Sequence, residues 1–103
     1  MAETQESIAC WAEETFGPVK DQTVLVRRAM DEMEELIAAT EMGDKDEIGK
    51  ETADIVILLY RLLELNQLDL SKEVTRKMAE NRGRQWHAKG DGTGKHIPSK
   101  SVG

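Results

Sequence analysis

The fold is decided by residues 29–59, which read AMDEMEELIAATEMGDKDEIGKETADIVILL. Apolar residues recur every three or four positions on both sides of Gly43, and this spacing predicts two amphipathic helices joined by a short turn. Gly43 is the expected C-terminal cap of the first of these helices. Asp44, with Glu47 three residues later, resembles a capping box that opens the second.

The rest of the chain shows the same preference for helix. Proline occurs only twice, strand-like alternation is absent, and good helix formers dominate. We predict four helices: a first that ends at Gly17 and Pro18, then helices over about 21–42, 45–66 and 70–87. Residues 1–88 are therefore predicted to form one all-α, four-helix bundle domain, and residues 89–103 an irregular tail.

Composition limits the classes of partner. A chain of 103 residues forms one small domain with a limited core. Its 20 Asp and Glu against 14 Lys and Arg give a net charge of -6, which argues against a nucleic-acid partner. The apolar run at 55–60 is far shorter than the roughly 20 residues that span a membrane. The single cysteine, Cys10, excludes a disulfide within the chain and is expected to be buried. We expect a soluble, cytoplasmic protein.

A third helix that is apolar on most of its sides predicts self-association. Ile57 and Tyr60 extend its apolar surface nearly all round, and a small chain cannot easily cover that surface alone. We therefore predict a homodimer or a homotetramer.

Two acidic pairs interrupt the apolar stripes of the second and third helices: Glu32 with Glu35, and Glu51 with Asp54. Residues three apart share a helix face, so each pair can converge on one ion. Glu32 and Glu51 fall within the stripes, where unpaired carboxylates would repel each other unless a cation intervened. Oxygen ligands favour Mg²⁺, Mn²⁺ or Ca²⁺ over zinc. Glu47, one turn before Glu51, is a further candidate ligand, although capping also explains it. The alternative for each pair is ordinary surface charge on Glu-rich helices.

The stripe of the fourth helix changes from apolar to cationic. Its members follow one another at spacings of four, three, four and three: Leu70, Val74, Lys77, Asn81 and Arg84. Such a helix end is suited to gripping phosphate oxygens beside a metal site. The alternative is that its basic residues complement the helix dipole.

In this order, the motifs resemble those of the MazG-like all-α nucleoside triphosphate pyrophosphohydrolases. That family has ExxE on one helix, ExxD on the next, and Lys, Asn and Arg on the last, and the match covers about residues 20–86. Residues 11–18, together with the tail, are similar to phage-type members associated with purine deoxynucleoside triphosphates, dGTP or dATP. The resemblance implies hydrolysis of a triphosphate to the monophosphate and pyrophosphate with Mg²⁺, for which Mn²⁺ can substitute, by a dimer or tetramer.

The resemblance also implies roles for individual residues. The metal ligands would be Glu32, Glu35, Glu51 and Asp54. Glu35 would also accept the proton of the attacking water, and Glu32 and Lys77 complete the predicted catalytic set. Lys77 and Arg84 would hold the phosphates, and Asn81 would orient phosphate or sugar. Trp11 either stacks on the base or belongs to the core. The alternative function is a non-catalytic helical dimerisation module whose carboxylates bind a structural cation.

Overall fold

The computed structural model describes residues 2–98 and contains four helices followed by a hairpin. The elements are α1 (Gln5–Phe16), α2 (Thr23–Met42), α3 (Lys45–Leu65), α4 (Leu70–Arg82), β1 (Gln85–Ala88) and β2 (Gly94–Ile97). The described residues divide into two compact units, residues 2–70 and residues 71–98. The prediction of a four-helix, all-α fold is confirmed. No helix within residues 2–98 is long and apolar enough to cross a membrane.

Local chemistry fixes the start of α1, the end of α2 and the start of α3. Thr4 and Ser7 form a capping box at the start of α1. Gly43 ends α2 in the left-handed conformation, at φ 67° and ψ 25°, which a glycine adopts without a steric penalty. Asp44 then caps α3, because its carboxylate accepts a hydrogen bond of 3.2 Å from the backbone N–H of Glu47. The predicted C-cap at Gly43 and N-cap at Asp44 are confirmed, but only the Asp44 half of the predicted capping box is formed.

The first unit is built around α3, against which α1 and α2 both pack. Its buried apolar side chains are few and mostly small: Ala12, Leu25, Ala29, Ala39 and Ile55. Met30 and Met33 belong to the apolar arc of α2 in the sequence, yet they are 63% and 47% exposed, because α2 packs mainly on α3. The prediction that Cys10 is buried was also wrong, since the thiol is exposed and contacts Glu14.

One charged side chain, Arg61, lies in the interior of the first unit. Only 7% of this α3 residue is exposed. Its Nη2 donates a hydrogen bond of 2.6 Å to the backbone carbonyl of Gly17 and lies 3.3 Å from a carboxylate oxygen of Glu13. Arg61 therefore ties the C-terminal end of α1 to the middle of the fold.

The second unit contains a two-stranded antiparallel sheet. Strand β1 lies where the end of the fourth helix was predicted, and β2 lies in the tail predicted to be irregular. Strands β1 and β2 pair from Gln85 with Ile97 to Ala88 with Gly94. Gly90 and Gly92, both at φ 92°, lie in the connection between the strands. Helix α4 ends at Arg82, earlier than the predicted end near residue 87, because the chain after it turns and enters β1. Residues 99–103 of the predicted tail lie outside the described residues.

Candidate active site

The facing surfaces of α2 and α3 bring three carboxylates together. Glu32 and Glu35 lie three residues apart on α2, and Glu51 lies on α3. Each side chain offers one carboxylate oxygen, and these three oxygens all lie within 4.8 Å of one another. We call these residues the acidic cluster. Oxygens at this separation can share one hard divalent cation.

Within the acidic cluster, Glu51 is the strained member. Its Oε2 is buried and has no hydrogen-bond partner among the described residues. Hydrogen bonding to Glu32 and then to Glu35, together with burial and the negative charge of both neighbours, raises the pKa of Glu51 from its ordinary 4.5 to about 7. A carboxylate that keeps a proton near neutral pH because of its neighbours is one that a cation would relieve. The donor set therefore fits a hard divalent metal ion.

An open cavity of about 400 Å³ adjoins the acidic cluster. Glu35 and Glu51 both line it, and so does Glu47, one turn before Glu51 on α3. The Glu47 carboxylate lies 3.5 Å from the ammonium group of Lys50 on the surface of α3. Because Asp44 supplies the cap of α3, the side chain of Glu47 is free of a capping role and can turn towards a ligand in this cavity.

Asp54, the fourth predicted ligand, is exposed on α3 and does not belong to the group of oxygens within 4.8 Å. The structure thus brings together three of the four predicted ligands. Asp54 follows Glu51 by three residues, so it shares the same face of α3. Its role as a ligand stays a prediction.

A second cavity, of about 480 Å³, lies in the same unit between α1, the loop after it, α2 and α3. Trp11 lines this space, 54% exposed, with its ring in an edge-to-face contact with Phe16 at 5.4 Å. We call it the Trp11 cavity. Trp11 is therefore not a core residue, and its indole is open to a ligand.

In the second unit, one acidic residue pairs with both predicted phosphate-binding cations. The carboxylate of Glu80 lies 3.4 Å from the ammonium group of Lys77 and also contacts the guanidinium of Arg84. Asn81 has a buried Oδ1 without a hydrogen-bond partner among the described residues, and its backbone carbonyl accepts a bond from Trp86. The sequence analysis did not identify Glu80 as a partner of these cations. Its position three residues after Lys77 and four before Arg84 predicts both ion pairs on a helix.

Comparison with known proteins agrees with this arrangement. The family model for phosphoribosyl-ATP pyrophosphohydrolase matches residues 12–82. A dATP/dGTP diphosphohydrolase of cyanophage S-2L is 32% identical over 102 residues, which cover 99% of this chain and 92% of that protein. The chain belongs to the MazG-like pyrophosphohydrolase family.

A solved structure of a MazG-like pyrophosphohydrolase of cyanophage S-2L superimposes with a TM-score of 0.76 at 30% identity. The match covers 93% of this chain and 91% of the other. That protein is bound to dGDP and three catalytic Mn²⁺ ions per active site. As a MazG-like protein, the present chain is a nucleotide pyrophosphohydrolase, and the interpretation as a non-catalytic module is disfavoured.

Proposed function

We propose that this MazG-like protein hydrolyses a purine deoxynucleoside triphosphate, dGTP or dATP, to the monophosphate and pyrophosphate with Mg²⁺, for which Mn²⁺ can substitute. The observation that carries the proposal is the acidic cluster, where the buried Oε2 of Glu51 has no hydrogen-bond partner within residues 2–98 and lies beside two further carboxylates. The names of the two cyanophage proteins support a purine deoxynucleotide as substrate and a divalent metal as cofactor.

Each carboxylate has a role in this proposal. Glu32, Glu35 and Glu51 hold the metal, and Asp54 joins them as a further ligand. Divalent ions, when bound, neutralise the cluster and stabilise negative charge on the phosphate oxygens. Glu35 is the most exposed of the three clustered side chains, so it is the one open to a water molecule.

The reaction is a hydrolytic displacement at the α-phosphorus. The water oxygen forms a bond to that phosphorus, the bond to the bridging oxygen of the β-phosphate breaks, and pyrophosphate leaves. Glu35 accepts the proton of the attacking water. Lys77 and Arg84 retain the phosphates, and Asn81 orients phosphate or sugar. To do so, the two cations exchange the carboxylate of Glu80 for phosphate oxygens, which likewise accept charge-assisted hydrogen bonds.

The test is a screen of the eight common ribonucleoside and deoxyribonucleoside triphosphates with Mg²⁺ and separately with Mn²⁺, followed by chromatography of the products. We expect dGTP or dATP to give the highest kcat/KM, with monophosphate and pyrophosphate as primary products. Accumulation of diphosphate would exclude attack at the α-phosphorus.

A matched pair of variants tests the acidic cluster in the same assay. Glu51→Gln should lower kcat/KM at least about 100-fold, which corresponds to about 2.7 kcal/mol of transition-state stabilisation. Glu34→Gln removes the same charge from an exposed position of α2 outside the cluster and should leave the rate unchanged. Equal rates for both variants would contradict the assignment of Glu51 as a ligand.

We also propose that the protein is a homodimer or homotetramer. Four large apolar side chains on α2 follow one another at spacings of four, three and four, and they are 42–63% exposed: Val26, Met30, Met33 and Ile37. This spacing forms one continuous stripe on the helix, and a second copy of the chain presenting the same stripe would cover it. The predicted cytoplasmic location stays a proposal from the sequence.

Light scattering tests the association. We expect at least twice the chain mass of 11.6 kDa for the wild type. Met30→Lys places a charge in the stripe and should shift the equilibrium towards monomer. Asp31→Asn makes the same change of charge at an exposed position of α2 away from the stripe and should not. A wild-type monomer at micromolar concentration would overturn the proposal.

A further inference from the structure

The Trp11 cavity has the size and lining of a site for a small aromatic ligand. Its volume of about 480 Å³ falls within the range of about 300–1,000 Å³ typical of small-molecule sites. The larger apolar side chains of the lining include Trp11, Phe16, Val24, Leu25, Ile57 and Leu58. Two aromatic rings and several aliphatic side chains suit a flat, largely apolar heterocycle.

The position of the Trp11 cavity relative to the acidic cluster indicates which heterocycle. On α2, Arg28 lines the cavity and precedes Glu32 by four residues; on α3, Leu58 follows Glu51 by seven. Residues four or seven apart lie on the same helix face, and four residues correspond to about 6 Å along the axis. The cavity therefore continues the faces that carry the cluster. In a deoxynucleotide, one deoxyribose lies between the base and the α-phosphate. A substrate whose phosphates lie at the acidic cluster can therefore place its base in the Trp11 cavity.

Polar groups of both signs border this cavity. Lys20, Asp21 and Arg28 all line it. The structure shows no hydrogen bond or ion pair for the side chain of Arg28 within residues 2–98, so its guanidinium is available. The Oδ1 of Asp21 accepts hydrogen bonds of 3.0 and 2.7 Å from the backbone and side chain of Thr23. The Oδ2 of Asp21 remains to accept from a ligand.

The wall of the cavity is held in place from inside the fold. Gly17 and Arg61 also line the Trp11 cavity. The hydrogen bond of 2.6 Å from Arg61 to the Gly17 carbonyl fixes the loop that begins there. Because Gly17 has φ 82°, a residue with a side chain would be strained at this point. The loop that carries Lys20 and Asp21 thus starts from a fixed anchor.

We propose that the Trp11 cavity binds the base of the substrate and that Arg28 and Asp21 select guanine over adenine. This inference rests on the proposed function. The guanidinium of Arg28 donates two hydrogen bonds to O6 and N7 of guanine, and Oδ2 of Asp21 accepts one from N1–H or from the 2-amino group. Adenine presents an amino group in place of O6 and an unprotonated N1, so both side chains would lose a partner.

The first test compares kcat/KM for dGTP, dATP and 7-deaza-dGTP, which lacks N7. Wild type should prefer dGTP over dATP by about 5- to 150-fold, the range for one bidentate contact. Arg28→Met should remove most of that preference by lowering the value for dGTP, and 7-deaza-dGTP should be a poorer substrate than dGTP for wild type only. Arg27→Met changes the neighbouring exposed arginine, which does not line the cavity, and should leave the ratio unchanged.

Two results of this comparison would overturn the inference. One is a wild type without preference for dGTP. The other is an Arg28→Met variant whose kcat/KM falls equally for dGTP and dATP, because an arginine that binds phosphate does not distinguish the bases. Asp21→Asn adds a further check: Asn keeps an oxygen for Thr23 but replaces Oδ2 with a donor, so the ratio of dGTP to dATP should fall. An unchanged ratio would exclude Asp21 as a reader of the base.

A binding measurement separates this inference from the proposed function. The indole N–H resonance of Trp11 is followed by NMR in metal-free buffer while deoxyguanosine or deoxyadenosine is added, with a Trp86→Phe spectrum for assignment. Deoxyguanosine should shift the Trp11 resonance more strongly, and Arg28→Met should abolish the difference. If this holds while no triphosphate is hydrolysed, the proposed function fails and the inference stands. If hydrolysis is intact but deoxyguanosine leaves Trp11 unaffected at millimolar concentration, the inference fails alone.

Discussion

Replacing Arg61 by methionine should destabilise the first unit and loosen the wall of the Trp11 cavity. Arg61 is 7% exposed, and its guanidinium holds the Gly17 carbonyl at 2.6 Å. Methionine keeps an unbranched chain of similar length in the same apolar surroundings. The substitution therefore removes the hydrogen bonds and the charge while preserving most of the packing.

The magnitude follows from two interactions of the guanidinium and from its buried, unpaired Nε. A hydrogen bond from a charged group to the Gly17 carbonyl contributes about 1.5–3 kcal/mol. The contact with Glu13 adds at most about 1 kcal/mol, because the side chain of Glu13 is 50% exposed. The Nε of Arg61 is buried without a partner among the described residues, and its removal offsets about 1 kcal/mol. The net loss is about 2 kcal/mol, which lowers Tm by roughly 8–16 °C for a domain of this size.

Urea unfolding followed by circular dichroism measures the change, at one protein concentration for every variant because association would shift the apparent stability. The control is Glu13→Gln, which keeps an acceptor near Arg61 and should cost less than about 1 kcal/mol. A larger loss for Glu13→Gln than for Arg61→Met would refute the assignment of the main interaction to Gly17. If Arg61→Met left the free energy of unfolding unchanged, the cost of burying the unpaired Nε would equal the gain from the hydrogen bond to Gly17.

Three further predictions concern the acidic cluster, the α2–α3 turn and α4. The raised pKa of Glu51 means that the folded, metal-free protein holds a proton that the unfolded chain has released. The free energy of unfolding should therefore fall as the pH rises from about 4.5 to 7. Urea unfolding in EDTA should show this fall for the wild type and a flatter dependence on pH for Glu51→Gln. Gly43→Ala should lower the free energy of unfolding by about 1 kcal/mol, because residue 43 has a left-handed conformation. Gly49 lies inside α3 with open space around it, so Gly49→Ala should raise the free energy of unfolding by about 0.5–1 kcal/mol in the same experiment. Lys77→Met should raise KM for the triphosphate about 10-fold in steady-state kinetics, while the same change at the exposed Arg82 should leave KM within about twofold.

The sequence predicted those helix ends that depend on local chemistry. Gly43 and Asp44 mark their boundaries because a left-handed cap and an N-cap are properties of single residues and their immediate neighbours. The hairpin was missed because each strand has only four residues, and β1 is defined by pairing with β2 across the loop at 89–93. A four-residue segment carries too little periodicity to distinguish strand from helix or coil.

For the candidate site, the spacing of the acidic residues predicted the right surfaces but not the final distances. Glu32, Glu35 and Glu51 converge because each lies on or near the apolar stripe by which α2 and α3 pack. Whether Asp54 joins them depends on differences of a few ångströms in side-chain position, and the spacing of residues in the sequence does not determine these. Arg61 interrupted an apolar run in the sequence and is buried in the structure, because its partners Gly17 and Glu13 are more than 40 residues away.

The same packing that stabilises α2 against α3 prevents the acidic cluster from relaxing. The Gly43–Asp44 turn fixes the connection between the helices, which pack on each other, and Ala29 and Ala39 of α2 and Ile55 of α3 are buried. Separating the carboxylates would require exposing these side chains. The repulsion can instead be relieved by a proton on Glu51 or by a cation shared among the cluster, and the two compete for the same oxygens. A fold held by apolar contacts thus supplies part of the free energy with which the site would bind its metal.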